Sequence, residues 1–214
     1  MLRAVRSYSA KLLGRLLSVR SYEAASGRRW ERQATHGRWG DEANAAAPIV
    51  RARARHMAVN NPWGCNAVGV WQTALIGAGI VPASGHSNAT VRKQLAKAWK
   101  AWANSCDADS ITDFAGMQAQ IVRSLVIDGE AFIQIVDSDT GPKLRQIPSE
   151  QVDSNYSMQL SDSRQIIAGI EFDAEGNRVA YHINRDRLAG FGSDRIRIPA
   201  ESILHVFCSY GPGQ

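Results

Sequence analysis

The stretch from Asp113 to Asp137, DFAGMQAQIVRSLVIDGEAFIQIVD, changes its period half-way along. Phe114, Met117, Ile121 and Leu125 recur at helical spacing behind Asp113, whose short carboxylate suits an N-cap. Asp128-Gly129 then reads as a helix stop, because glycine enters the left-handed conformation without a Cβ penalty. From Glu130 the run EAFIQIVD is short, rich in β-branched and aromatic residues and partly alternating, which predicts a strand. A helix is therefore joined directly to a strand, and the chain on either side follows the same division.

Towards the N-terminus the pattern stays helical back to Asp41. DEANAAAPIVRARARHMAVNN opens with two carboxylates at a predicted helix N-terminus, where they favour the dipole. Pro48 is expected to break or begin a helix there, and Asn60-Asn61-Pro62 to end one. PWGCNAVGVWQTALIGAGI starts with Pro62 near a first-turn position and closes on Gly77 and Gly79. NATVRKQLAKAWKAWANSC has Asn88 or Thr90 as its cap, with Leu95, Trp99 and Trp102 on one face and Arg92, Lys93, Lys97 and Lys100 around them. Towards the C-terminus short strands succeed one another, with Glu175-Gly176-Asn177 as a hairpin turn between IAGIEFDA and RVAYHINR. Helices followed by strands predict an α+β fold with a mainly antiparallel sheet. The expected organisation is a basic flexible arm over 1–40, a helical part over 41–128 and a β-rich part over 129–214.

The arm is set apart by charge. Arg3, Arg6, Lys11, Arg15, Arg20, Arg28, Arg29, Arg32 and Arg38 face only Glu23 and Glu31, without sustained periodicity. Such a segment reads as a solvated arm that orders on a partner; its first twenty residues also fit a basic amphipathic, presequence-like helix. The whole chain of 214 residues carries a net charge of +5, which is compatible with nucleic acid without requiring it. No apolar run approaches the roughly 20 residues that a bilayer span needs. Three widely spaced cysteines, Cys65, Cys106 and Cys208, argue against a disulfide framework or a cysteine-built zinc site and are expected to be reduced and mostly buried.

Candidate chemistry is sparse. Asp128 and Glu130 flank Gly129 at the helix-to-strand junction, where paired carboxylates serve acid–base work or a hard metal in a metal-dependent enzyme, or act as a plain helix stop and a salt-bridged strand residue. His205 and Cys208 point apart on a regular strand, which leaves one half-buried histidine and one core cysteine. GAGI at Gly77 follows a helix and lacks the lysine of a phosphate loop. Arg51, Arg53 and Arg55 spread over roughly 200° of a helix and face phosphate, acidic residues of another subunit, or solvent. Six tryptophans lie in the first half. Trp99 and Trp102 read as core; Trp30 and Trp39, in the polar arm, read as anchors onto a neighbouring chain. No catalytic residue and no cofactor is predicted. Arg28, Arg29, Arg51, Arg53, Arg55, Trp30 and Trp39 are the candidate contacts to DNA or another subunit.

Seven segments in fixed order carry a resemblance: YEAASGRRW (Tyr22 to Trp30), DEANAAAPIVRARARHMAVNNPWGCNAV (Asp41 to Val68), GAGIVP (Gly77 to Pro82), WKAWANSCDAD (Trp99 to Asp109), DFAGMQAQIVRSLVIDGEAFI (Asp113 to Ile133), GIEFDAEGNRVAYHI (Gly169 to Ile183) and IPAESILHVF (Ile198 to Phe207). Together they resemble the N-terminal, wing-side portion of lambda-type bacteriophage portal proteins. The resemblance implies a structural virion protein. Copies of it form a dodecameric ring at one capsid vertex, through which double-stranded DNA is packaged and ejected, and the ring meets terminase, capsid or scaffold proteins and the neck or tail. It implies assembly in the host cytoplasm and no membrane partner. It also implies that stem, clip and crown lie outside this sequence, so that the chain represents a truncated portal with apolar surface left uncovered. Without the resemblance, the residues support a stand-alone basic module that binds nucleic acid without sequence preference.

Overall fold

The computed structural model describes residues 39–161, 163–185 and 194–209. Residues 1–38 of the expected arm, with Arg28, Arg29 and Trp30, and the closing Gly211-Pro212-Gly213 turn lie outside the described residues, while its last two residues, Trp39 and Gly40, belong to the first helix. Four helices come first: α1 (Trp39–Asn60), α2 (Pro62–Ile76), α3 (Ala89–Ala103) and α4 (Phe114–Asp128). Eight strands follow: β1 (Glu130–Val136), β2 (Lys143–Ile147), β3 (Met158–Gln159), β4 (Gln165–Ile167), β5 (Ile170–Phe172), β6 (Arg178–Asn184), β7 (Arg195–Pro199) and β8 (Ile203–Phe207). The fold is α+β.

Local chemistry accounts for most helix ends. The Asn61 side chain accepts hydrogen bonds from Trp63 N at 2.9 Å and Gly64 N at 3.3 Å, and Pro62 occupies a first-turn position where its missing N–H costs nothing. Asn88 caps α3 through Thr90 N at 2.8 Å, and Asp113 caps α4 through Gly116 N at 2.8 Å. Gly129 ends α4 with φ 84°, and its N–H returns to Leu125 O. Pro48 departs from expectation: α1 runs through it unbroken. A proline inside a helix costs about 3 kcal/mol. Here α1 packs against α2 and α4, and its arginines are tied to distant carboxylates, so tertiary contacts offset that cost.

The strands form two antiparallel sheets, where the sequence suggested mainly one. The first has the order β2-β1-β8 and the second β3-β4-β5-β6-β7. The hairpin at Glu175-Gly176-Asn177 joins β5 to β6, with Asp173 Oδ1 accepting from Asn177 N at 2.7 Å. β1 is central in its sheet and buried on both faces: Ala131, Phe132 and Ile133 are each buried. Phe132 joins Ile147 and Ile203 of its own sheet to Tyr181 and Ile183 of β6, with Val152 from the linking segment. The Phe132 and Tyr181 rings meet edge-on at 5.9 Å. Successive strand residues alternate in side, so Ala131 and Ile133 turn the other way, and α4 packs on β1 and contributes buried Met117 and Val122.

Candidate functional site

The row Arg51, Arg53, Arg55 sits in the second half of α1, beside the junction of α4 and β1. Arg51 Nη2 donates to Glu130 Oε1 at 2.9 Å. Arg55 Nε and Nη2 donate to Asp128 Oδ1 and Oδ2 at 2.8 and 2.9 Å, and Nη2 also reaches Glu150 Oε2 at 2.6 Å. These carboxylates hold the Arg55 guanidinium above its ordinary pKa, chiefly through the Asp128 bonds; Arg55 in turn holds the Glu150 carboxyl below its usual range. Arg51 and Arg55 thus meet acids of their own chain; Arg53, between them in sequence, is exposed. Trp39 is the first residue of α1.

The same geometry defines what Asp128 and Glu130 do. The remaining oxygen, Glu130 Oε2, lies 3.2 Å from His205 Nε2, so all four carboxylate oxygens have partners. His205 Nδ1 is 3.3 Å from Tyr181 Oη, and its ring stacks on Phe132 at 4.2 Å. Arg51, Glu130, His205 and Tyr181 therefore form one polar chain from α1 through both sheets, on top of the Phe132 core. Among the described residues no group of three or more His, Cys, Asp or Glu side chains is placed to hold a metal ion. An acid–base pair needs a free oxygen facing a substrate; here each oxygen faces a guanidinium or an imidazole.

Three further features escaped the sequence reading, two polar and one apolar. Glu171, on β5 between Ile170 and Phe172, is 2% exposed. It accepts from Arg197 Nε at 2.7 Å, Arg197 Nη2 at 3.1 Å and Arg164 Nη1 at 3.3 Å, and lies 3.2 Å from His182 Nε2. The Arg197 bonds, ahead of the opposing effect of burial and then His182, hold its carboxyl below the usual range. A charged residue between two apolar ones in a short strand was the available signal. Asp107 is also buried. Burial alone would raise its pKa, but backbone N–H groups of Asp109, Ile111 and Thr112 at 2.9, 2.9 and 3.1 Å outweigh it and keep the carboxyl low. Cys106 beside it is buried, and burial pushes its thiol up. Cys65 and Cys208 are exposed, against the expectation of mostly buried thiols: Cys65 is on the outer side of α2, and Cys208 lies just past the end of β8.

The third feature is apolar. α2 contains no Asp, Glu, Lys or Arg, and only Val68 is buried. Trp63, Ala67, Val70, Trp71 and Ala74 follow the i, i+4, i+7, i+8, i+11 spacing of one helix face, and all are exposed. Trp63 is 83% exposed, Val70 58% and Trp71 54%. Met57 and Val59, near the end of α1, are exposed too. Trp99 and Trp102 are half-buried and meet Phe114 as an aromatic cluster with centroids 4.9 to 5.4 Å apart. No helix among the described residues is long and apolar enough to cross a membrane, so a lipid span does not explain α2.

Residues 26–214 match the family described as phage portal protein, lambda family. The chain belongs to the lambda family of phage portal proteins. No curated protein sequence matches it. Among solved structures, it is similar to a chain of the "Neck of empty GTA particle computed with C6 symmetry", with TM-score 0.46 and 16% identity over 84% of this chain and 41% of that one. It is also similar to a chain of the "Neck of native GTA particle computed with C12 symmetry", with TM-score 0.45 and 14% identity over 94% of this chain and 42% of that one. The chain spans about two fifths of the length of these solved chains. Within this portal-family chain, the segment WKAWANSCDAD, from Trp99 to Asp109, supplies two of the three rings of the aromatic cluster, the buried Cys106 and the buried Asp107 carboxylate.

Proposed function

We propose that the chain is a structural portal-family subunit that works as part of a ring of its own copies at the capsid vertex where DNA enters and leaves. One observation carries the reading beyond family membership: α2 presents an uncharged face with two exposed tryptophans. Contiguous apolar faces of this kind mark interaction surfaces, because an isolated domain leaves their burial energy unused. The partner assigned to this face is a neighbouring copy of the chain. Arg28, Arg29, Arg51, Arg53, Arg55, Trp30 and Trp39 remain in the proposal as contacts to a neighbouring copy or, without sequence preference, to double-stranded DNA. Arg51 and Arg55 also brace α1 against the α4–β1 junction. Contact with terminase, capsid or scaffold proteins and the neck or tail follows from the family resemblance and belongs to the same proposal, as does a place in the virion.

The chain is read as non-enzymatic because the carboxylates best placed for chemistry are tied to arginine and histidine side chains. The test is immuno-electron microscopy of purified phage particles from the cells that encode the chain, with an antibody raised against it. The proposal expects label at a single vertex. Label spread evenly over the shell, or particles that carry none, would refute it.

A further inference from the structure

α3 carries Arg92, Lys93, Lys97 and Lys100 and no carboxylate. Among the described residues none of the four is paired with an acid; Arg92 Nη1 donates instead to the carbonyls of His86 and Ser87 at 2.7 and 2.9 Å. The helix has no buried residue, and Leu95 is 48% exposed. Between α3 and the loop at Pro82 runs an open groove of about 810 Å³, lined by Leu95, Trp99, Trp102, Arg92 and Lys93. It continues past Pro82 and Trp99 into a second hollow of about 390 Å³, which Phe114 and Lys100 border. The one acid there, Asp113, is committed to its helix cap. An apolar floor of aromatic rings thus has cations along its rim and no acidic group free to match them.

We propose that this groove binds an acidic polypeptide segment of a partner protein, whose apolar side chains fill the floor at Leu95, Trp99 and Trp102 while its carboxylates meet Arg92, Lys93 and Lys100. Charge complementarity selects this occupant. The chain's own arm over 1–38 has nine Arg or Lys and two Glu, so its charge repels the rim. Duplex DNA would satisfy the cations but offers nothing to the apolar floor. Trp anchors ringed by rim charges are the arrangement in which a few aromatic contacts supply most of the affinity and the charges supply orientation and selectivity. The inference stands on the groove and its charges and does not depend on the ring assembly proposed above.

The full chain is titrated, by fluorescence anisotropy, into three labelled probes. They are a helical peptide with Glu on one face and Leu and Phe on the other, the same peptide with Lys for every Glu, and a mixed-sequence duplex DNA. Two variants at exposed positions accompany it: K93E/K100E, and L95E, both checked for unchanged far-UV circular dichroism. The acidic peptide is expected to bind in preference to the other probes and to weaken about tenfold with K93E/K100E. L95E should also weaken it, and the Lys peptide should gain on the charge-reversed variant. Equal binding of the two peptides, insensitivity to either variant, or a preference of these residues for the duplex overturns the proposal. Self-association lost in L95E with no peptide bound also overturns it and assigns the groove to a second copy.

Discussion

Arg55 grips Asp128 with two parallel hydrogen bonds, 2.8 and 2.9 Å, that tie the C-terminal half of α1 to the last residue of α4, 73 positions away. A carboxylate at a helix C-terminus sits at the unfavourable end of the macrodipole, and Asp128 is only 9% exposed there. The guanidinium fork offsets both penalties and fixes the angle at which α1 crosses the helix-to-strand junction.

Replacement of Arg55 by Leu should therefore destabilise the chain by about 2 kcal/mol, less than a fully buried pair would lose because Arg55 itself is partly solvated. Asp128→Leu alone should also destabilise, and the double variant by less than the sum. A coupling energy of about 1–2 kcal/mol is expected in a urea-unfolding cycle. Strict additivity would mean that the pair is an incidental surface contact.

The Glu171 cluster predicts a dependence on pH. Arg197, with His182, keeps the folded-state carboxyl below its unfolded value, so its stabilisation is complete above the unfolded carboxylate pKa of about 4.3 and disappears as pH falls through the lower folded value. Glu171→Gln should cost about 2 kcal/mol at pH 7. The gap between variant and wild type should narrow on acidification below about pH 4. Denaturant midpoints at several pH values measure it; a gap that stays constant with pH would exclude a charge effect.

Asp107 holds three backbone N–H groups between α3 and α4. Asp107→Ala leaves those donors without an acceptor and should cost about 2 kcal/mol. The segment also encloses Cys106. In the native chain a maleimide should label Cys65 and Cys208 quickly and Cys106 slowly; in the variant Cys106 labelling should accelerate. Unchanged Cys106 labelling, followed by peptide mass analysis, would show that the cap does not hold this segment closed.

The parts of this architecture that were legible in the sequence are those set by neighbours in the chain. Asp113, Gly129, Asn61-Pro62 and the Glu175-Gly176-Asn177 turn each act within a few residues, through one hydrogen bond or one positive φ, and periodicity located the elements between them. The division of the strands into two sheets was not legible, because β1 pairs with β8 from Glu130↔Phe207 to Gln134↔Ile203, and short apolar strands do not encode their partners. The intrachain partners of the arginine row were hidden for the same reason. Alternating arginines announce charge, but the acids that meet Arg51 and Arg55 arrive from distant segments. The uncovered face of α2 was readable in principle, since PWGCNAVGVWQTALI lacks any charge; only the packing of Val68 against the rest of the chain distinguishes which side remains outside.

The most direct measurement of the central claim is sedimentation velocity of the full chain over a concentration series, beside Trp63→Glu/Trp71→Glu. Both residues are exposed, so the substitutions leave the fold in place while they put charge on the α2 face. Wild-type chain should associate as concentration rises, and the variant should stay monomeric under the same conditions. A wild-type chain that remains monomeric throughout, or a variant that associates as readily, would contradict the assignment of this face to a neighbouring copy.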